Sequence, residues 1–231
     1  MFVDNLVWNH YKTLISKPYD RLSDALINSI VRGDIPSGSK ISEPDLARSY
    51  KVSRGPLREA IRRLEGLHLV ARVPHVGARV VTLNAIQLFE IYQVREALEG
   101  MAARLACRNM SDNEIAELKN LLDDHEDSIA QSDGREYFQH GGDFDFHYRI
   151  IQGSKNQRLI ELLCSELYHL IRMYRFRSSQ ILSRPQTALN EHRQICLAIE
   201  RRDEELSELL MRRHISTAQQ HIEQQFKTEG E

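Results

Sequence analysis

Apolar positions in the first third of the chain recur with the period of short amphipathic helices. The pattern predicts a first helix over residues 21–32 that ends at Gly33, a residue suited to the left-handed backbone beyond a helix end. After a loop rich in turn-forming residues, Ser42 is placed to cap a second short helix, with Leu46 and Ala47 as its buried pair. A tight turn then leads into a third helix.

The third predicted helix opens at Ser53, which is placed to cap it, and carries Pro56 in its first turn. Its apolar residues share one face, and a row of arginines four residues apart lies beside that face. The apolar residues are Leu57, Ala60, Ile61 and Leu64, and the arginines are Arg54, Arg58 and Arg62. Such a helix suits the major groove of DNA, where arginine binds guanine in bidentate fashion or contacts phosphates. By itself, the row fits a solvated basic helix equally well.

Two short β-branched runs around a Pro–Gly turn follow, at residues 70–81, and predict a β-hairpin. A helix, a turn and a helix followed by a hairpin form a winged helix-turn-helix. From the hairpin, Arg72, His75 and Arg79 can reach phosphates or a minor groove. Gly77 lies at the turn of this predicted wing.

Several spaced elements of this region together resemble the opening signature of the GntR family of bacterial transcription regulators. They are residues 33–43, Leu46–Ala47, Val52–Arg54, Pro56–Ala60 and the wing residue Gly77. The resemblance covers about residues 18–82. It implies that Ser53, Arg54 and Arg58, together with the wing turn, contact the operator.

Two residues depart from that family's pattern. Some relatives read DNA with an arginine where Pro44 stands, and this chain lacks that contact. The family often has glycine at the position of His68, which leaves the turn after the third helix open to a different shape. Neither departure removes the central arginines.

Charge is divided unequally along the chain. Residues 1–82 carry 13 Lys/Arg against 8 Asp/Glu, whereas the remainder carries 18 against 25. A basic module joined to an acidic one is the asymmetry expected when only one end meets nucleic acid. The first 17 residues hold a small amphipathic patch, which fits either an arm on a partner subunit or a leader without fixed structure.

Cysteine usage and hydropathy favour a cytoplasmic protein. Cys107, Cys164 and Cys196 are odd in number and widely spaced, which indicates reduced core cysteines and not a disulfide framework. No apolar run has the length of a membrane span, and the N-terminus lacks a signal-peptide pattern. We therefore expect no membrane association.

After Thr82 the pattern becomes helical throughout. It predicts helices near residues 85–108, 112–131, 135–152, 157–180, 186–200 and 203–226. Ser111 and Glu114 form a capping box at the start of the second of these. The predicted fold class is therefore mostly α, a winged helix-turn-helix followed by an all-helical bundle. The expected domains are an arm at 1–17, a DNA-binding domain at 18–82 and an effector-binding and dimerisation domain at 83–231.

Potential metal ligands lie on three of these helices. Asp143 and His147 are four residues apart and share a helical face, while His192 and His214 lie on two later helices. One carboxylate and three imidazoles suit a divalent transition metal such as Zn, Ni, Mn or Fe. Asp145 competes for the carboxylate role but falls on nearly the opposite side of the helix. Surface or core histidines without a metal are the alternative that these residues alone leave open.

The second half also resembles the FCD effector domain, which follows the winged helix in the FadR-type branch of GntR regulators. The matching elements are residues 94–99, 143–147, Glu191–His192, Ala198–Ile199, Asp203 and Arg213–His214. The resemblance implies that Asp143, His147, His192 and His214 bind a divalent metal that senses a small organic acid. It also implies that Arg95 is a pocket arginine, for which a bidentate carboxylate contact gives a physical role. A salt bridge on the helix surface or lining the core is the alternative for Arg95.

These features predict a metabolite-responsive repressor that binds a near-palindromic double-stranded operator as a homodimer. A carboxylate effector is expected to release it from DNA, although the opposite sign is left open. One rival is a metal-dependent hydrolase that recruits Glu191 and Arg95 beside the metal. A second rival is a regulator whose metal is purely structural.

Overall fold

The computed structural model describes the chain in five stretches, and its helices and one hairpin fall into two compact units, Met1–Thr82 and Leu83–Glu231. The described stretches are residues 18–82, 85–131, 146–170, 172–173 and 184–229, so the predicted arm at 1–17 lies outside the described residues. Among them, no helix combines the length and the apolar character that crossing a bilayer requires.

The first unit is a winged helix-turn-helix, as the sequence predicts. Its elements are helices α1 (Pro18–Val31), α2 (Glu43–Ser49) and α3 (Arg54–Gly66) and strands β1 (Val70–Val73) and β2 (Gly77–Val80). The strands are antiparallel, with Val70 opposite Val80 and Val73 opposite Gly77. Helix α3 packs its predicted apolar face against α1, and Leu57, Ala60, Ile61 and Leu64 are all buried.

Three local predictions in this unit are wrong. Ser42 and Ser53 do occupy the N-cap positions, but neither side chain makes a capping hydrogen bond. The Ser42 hydroxyl bonds the Asp45 carboxylate, and this contact, with the one from Arg48, lowers the pKa of Asp45. Leu46 and Ala47 are only half-buried, because the seven-residue helix α2 buries none of its residues fully.

The turn after α3 keeps a left-handed residue although histidine replaces glycine there. His68 has a φ of 56°, and the Leu69 amide donates to the Leu64 carbonyl at 3.0 Å, which closes the helix end. The sequence left this turn open to a different shape. Since histidine is among the residues that tolerate this backbone region, the turn persists with a non-glycine residue in it.

The second unit is a bundle of helices. They are α4 (Ala85–Asn109), α5 (Asp112–Gln131), α6 (Phe146–Gly153), α7 (Gln157–Glu161), α8 (Arg184–Glu200) and α9 (Glu204–Glu229). Helix α9 packs along α4, and α8 packs against both α5 and α9. Ion pairs of Glu96 with Arg212 and of Arg108 with Glu204 show that α4 and α9 run antiparallel.

The Ser111–Glu114 capping box has the geometry that the sequence predicts. The Ser111 amide donates to Glu114 Oε2 at 2.8 Å, and the Glu114 amide donates to Ser111 Oγ at 3.3 Å. The predicted helix 135–152 is described only from Phe146 onward, so its first part lies outside the described residues.

The predicted helix over 157–180 is not a regular α-helix in its described part, and its residues 171 and 174–180 lie outside the described residues. Helix α7 ends at Glu161 and passes into one π-helical turn, Leu162–Glu166, where the Leu167 amide reaches back to the Leu162 carbonyl. The buried residues Leu159, Leu163 and Tyr168 are spaced by four and then five positions. A π turn absorbs one extra residue, so this irregular spacing still faces the interior.

Candidate functional sites

Three buried imidazoles from three helices converge inside the bundle. His147 lies on α6, His192 on α8 and His214 on α9, and their exposed fractions are 2%, 1% and 5%. The His214 Nε2 atom lies 3.1 Å from His147 Nε2 and 3.2 Å from His192 Nε2. Asp143, the predicted fourth ligand, lies outside the described residues, as does its competitor Asp145.

Two carboxylates fix the orientation of two of these rings. Glu99 Oε2 lies 2.5 Å from His147 Nδ1, and Glu191 Oε2 lies 2.6 Å from His214 Nδ1. A carboxylate accepts from Nδ1–H, which leaves the lone pair of each ring on the Nε2 atom. Such carboxylate–histidine pairs are the usual outer support of protein metal ligands.

Aromatic packing restrains the third ring. The ring of Phe146 stacks on His192 with centroids 4.1 Å apart and an interplanar angle of 21°. The same ring meets His147 edge-on at 5.7 Å. Because Phe146 is fully buried, its packing restrains both imidazoles, and His147 is restrained in addition by its hydrogen bond with Glu99.

The spacing of the nitrogens suits a divalent ion. Zinc–nitrogen bonds of about 2.0–2.1 Å put two neighbouring ligand nitrogens about 2.8–3.0 Å apart at right angles and about 3.3–3.4 Å apart in a tetrahedron. The observed 3.1 and 3.2 Å fall between these values. His147, His192 and His214 form a group whose ligand atoms all lie within 4.8 Å of one another. The residues present therefore fit a bound transition metal.

Arg95 is buried next to this cluster, and only some of its hydrogen-bond donors have an acceptor. Its side chain is 1% exposed, its Nε donates to Glu99 Oε1 at 2.7 Å, and its guanidinium lies over the Tyr92 ring. Within the described part of the chain, its Nη1 atom is buried and has no hydrogen-bond partner. The structure has the core-lining salt bridge that was the alternative for Arg95, and not a salt bridge on the helix surface, because the Arg95–Glu99 pair is buried. The role of Arg95 in a ligand pocket stays a prediction.

The role of Glu191 differs from the one that the hydrolase alternative gave it. A general base beside a metal needs a carboxylate directed at the reacting water. Here Glu191 is hydrogen-bonded to His214 Nδ1 and fixes the orientation of the imidazole ring.

The sequence analysis also missed the role of Glu99. The spacing of four residues between Arg95 and Glu99 was a usable signal for an ion pair.

The predicted DNA-contacting residues of α3 are exposed on one side of the first unit. Ser53, Arg54, Arg58 and Arg62 are all exposed. Arg58 Nε donates to Glu43 Oε2 at 3.0 Å, and Arg62 Nη1 donates to Glu59 at 2.8 Å. The pairing of Arg58 through Nε leaves both of its terminal nitrogens for a bidentate contact.

The predicted wing has an exposed turn. His75 and Gly77 both have a left-handed backbone there, with φ values of 61° and 99°. Arg72 is exposed on β1 and pairs with Glu65 at 2.9 Å. Arg79 is half-buried, and its guanidinium donates to the Gly38 carbonyl at 2.7 Å, so it stabilises the fold of the wing.

Comparison with known proteins agrees with both units. The gntR family of bacterial regulatory proteins matches residues 18–80, and the FCD domain matches residues 90–217. The Nta operon transcriptional regulator of Aminobacter aminovorans is 37% identical over 128 residues, which is 55% of this chain and 60% of that protein.

A longer alignment and a solved structure extend this likeness. The probable D-xylose utilization operon transcriptional repressor of Paenarthrobacter nicotinovorans is 29% identical over 196 residues, 85% of this chain and 84% of that protein. The structure of E. coli McbR/YncC has a TM-score of 0.71 at 19% identity, covering 92% of this chain and 100% of that one. The last comparison shows a shared fold.

Proposed function

This chain belongs to the GntR family of bacterial transcriptional regulators and carries an FCD domain, and from this premise we propose that a small organic acid controls its affinity for operator DNA. The acid binds in the helical unit beside a divalent metal held by His147, His192 and His214, with Asp143 as the fourth ligand. The observation that carries the proposal is the convergence of three Nε2 atoms near a buried arginine with a donor to spare.

When bound, the metal acts as a Lewis acid that binds an oxygen atom of the effector. In a five- or six-coordinate geometry, three imidazoles and one carboxylate leave one or two coordination positions that a carboxylate or hydroxyl oxygen can fill. Nitrogen and oxygen donors accept Zn, Ni, Mn or Fe, and cellular supply then selects among them. The buried position of the three histidines favours a ligand that enters the bundle over a surface contact.

Arg95 makes an anionic ligand the best match. Its pairing with Glu99 holds the guanidinium in place, and its Nη1 atom still requires an acceptor. A buried donor without a partner is unfavourable by about 1–3 kcal/mol. A ligand carboxylate that accepts from Nη1 relieves this cost, which offsets part of the cost of removing the carboxylate from water. The metal and Arg95 together select small carboxylic acids.

The first unit provides the DNA contacts through Ser53, Arg54, Arg58 and Arg62 on α3, with Arg72, His75 and Gly77 on the wing. A single winged helix makes few base contacts, so we expect a homodimer on a near-palindromic operator. Some relatives are named repressors, which supports release of DNA as the outcome of ligand binding. The ligand must bind the DNA-free form more tightly, since only that difference changes occupancy of the operator.

Two measurements on the Zn²⁺-loaded protein test this proposal. A thermal-shift screen compares small carboxylates with their uncharged amides, for example lactate with lactamide and succinate with succinamide. A binding acid raises the melting temperature because it binds only the folded state. Fluorescence anisotropy then follows dissociation from duplexes that the protein has selected from a randomised library.

The expected result is a carboxylate that raises the melting temperature, weakens duplex binding and loses both effects in Arg95→Met. The amides are the matched control and are expected to have no effect. If no carboxylate changes either quantity, the sensing proposal fails. If Zn²⁺ nevertheless stabilises the fold, the purely structural metal is then the correct alternative.

A further inference from the structure

Glu99 is a fully buried carboxylate whose two oxygens serve two different partners. Oε1 accepts from Arg95 Nε at 2.7 Å, and Oε2 accepts from His147 Nδ1 at 2.5 Å. Its exposed fraction is 0%. Glu99 therefore connects the arginine directly to one of the three converging imidazoles, without solvent between them.

We propose that Glu99 is a positioning residue that couples the two halves of the ligand site. It sets the Nδ1–H tautomer of His147, so that Nε2 faces the metal, and it holds the Arg95 guanidinium for an anion. This inference rests on the proposed function, because it assigns Glu99 a role toward that same metal and that same ligand. Hydrogen bonds in such a chain polarise one another where water is absent.

Only a carboxylate satisfies both neighbours. Both Arg95 Nε and His147 Nδ1 present an N–H, and glutamine offers one acceptor and one NH₂ donor. In Glu99→Gln, an amide oxygen that accepts from His147 turns the NH₂ group toward Arg95. The reverse orientation turns NH₂ toward His147 and favours the tautomer that places the proton on Nε2. The first orientation places the NH₂ group against the Arg95 N–H, so that two buried donors face each other. The second orientation removes the Nε2 lone pair of His147 that a metal needs.

Glu96 is the matched control on the same helix. It lies one turn before Glu99, is half-buried and pairs with Arg212 at 3.2 Å. Glu96→Gln removes the same charge from α4 without touching the imidazoles. A difference in Zn²⁺ affinity between the two glutamine variants is therefore due to the position of the carboxylate and not to the change in net charge.

The test measures Zn²⁺ affinity by competition with a chromophoric chelator. Loss of an outer partner of a metal ligand typically weakens metal binding about 10–100-fold, and this loss is expected for Glu99→Gln. Glu96→Gln is expected to stay within about two-fold of the unmodified protein, because an ion pair that is partly open to solvent contributes little free energy. Circular dichroism of each metal-free variant checks that the helices remain.

A double variant isolates the coupling. In Arg95→Met combined with Glu99→Gln, the amide NH₂ no longer faces a guanidinium, so the oxygen can again accept from His147. Zn²⁺ affinity is expected to recover at least several-fold over Glu99→Gln alone. A purely structural role for Glu99 gives no such recovery, because a second core substitution adds to the damage.

A spectrum of the unmodified protein keeps the inference testable if Glu99→Gln does not fold. In the ¹H–¹⁵N spectrum of the Zn²⁺-loaded protein, His147 is expected to show a protected Nδ1–H proton shifted downfield. Coordination through Nδ1 overturns the inference. So does unchanged Zn²⁺ affinity in Glu99→Gln, or a double variant no tighter than the single one. Failure of the unmodified protein to bind Zn²⁺ overturns the proposed metal site itself, and the two failures are thereby distinguished.

Discussion

The Nε2 atoms of His147 and His214 lie 3.1 Å apart, although 67 positions separate the two residues in the chain. The Nδ1 atom of each ring donates to a carboxylate, Glu99 for the first and Glu191 for the second. Both Nε2 lone pairs therefore point toward the same small volume. Two lone pairs at this distance repel each other, and either a proton shared between the two nitrogens or a metal ion bound by both removes the repulsion.

Removal of the metal is accordingly expected to destabilise the helical unit. An ion that binds only the folded state adds about 2.7 kcal/mol when its free concentration is a hundred times its dissociation constant. Thermal unfolding with Zn²⁺ and with an excess of chelator measures this increment. His192→Ala should unfold at the same temperature under both conditions, and a chelator effect that persists in this variant would contradict the assignment of His192.

Arg58→Ala should weaken binding to a selected duplex by about 1–3 kcal/mol, or roughly 5–150-fold. The physical reason is that we expect Arg58 to contact guanine through its two terminal nitrogens, since Glu43 accepts from Nε. Anisotropy titrations at two salt concentrations measure the loss. Arg158→Ala, which removes an exposed arginine from the other unit, is the control and should bind as tightly as the unmodified protein.

His68→Gly should stabilise the first unit by up to about 1 kcal/mol. An L-residue with a side chain costs about 1–2 kcal/mol in the left-handed region, and the greater freedom of glycine in the unfolded chain offsets part of the gain. His68 is exposed, so no packing is lost. Denaturant unfolding compares this variant with His68→Ala, which keeps the Cβ atom and should show no gain. Equal stabilities of the two variants would refute the strain at this turn.

Stability at alkaline pH should depend on Cys196. Burial, followed by the nearby Glu200 carboxylate, raises the pKa of this thiol from 9.0 to about 11. Above pH 9 the unfolded chain releases the thiol proton while the folded chain retains it. The free energy of unfolding therefore falls as pH rises from about 9 to about 11, by at most about 1.4 kcal/mol per pH unit.

Chemical unfolding between pH 8 and about 10.5 tests this dependence in two variants. Cys196→Ala should show a shallower decline with pH than the unmodified protein. Cys164→Ala, which removes a half-buried thiol, should keep most of the decline. If the free energy of unfolding declines more steeply with pH in Cys196→Ala than in Cys164→Ala, a group other than Cys196 causes the loss of stability.

The sequence predicted those elements whose signals are local. The capping box at Ser111 and Glu114, the left-handed Gly33 and the hairpin all depend on residues a few positions apart, and the structure has each of them. The serine caps at 42 and 53 fail because a hydroxyl has several partners within reach, and Ser42 bonds a carboxylate instead of the backbone.

The carboxylates that support the imidazoles could not be predicted from local sequence signals. Glu99 contacts an imidazole 48 positions away, and Glu191 contacts one 23 positions away, so their roles arise only when α4, α6, α8 and α9 pack. The family resemblance pointed to the imidazoles without naming these partners. The π turn after α7 was missed for a similar reason, since it follows from which side chains the bundle buries.

The order in which the ligands occur along the chain has a consequence for synthesis. The last of the three imidazoles belongs to α9, the final described helix, whereas the winged unit is complete at Thr82. Domains fold as units, beginning with the N-terminal one while the ribosome is still elongating the chain. A nascent chain can therefore hold a finished winged unit well before His214 joins the other two imidazoles. Under the proposed function, the DNA-contacting residues of each chain therefore fold first during translation, whereas pairing of two copies and the response to a metabolite require the helical unit that is synthesised later.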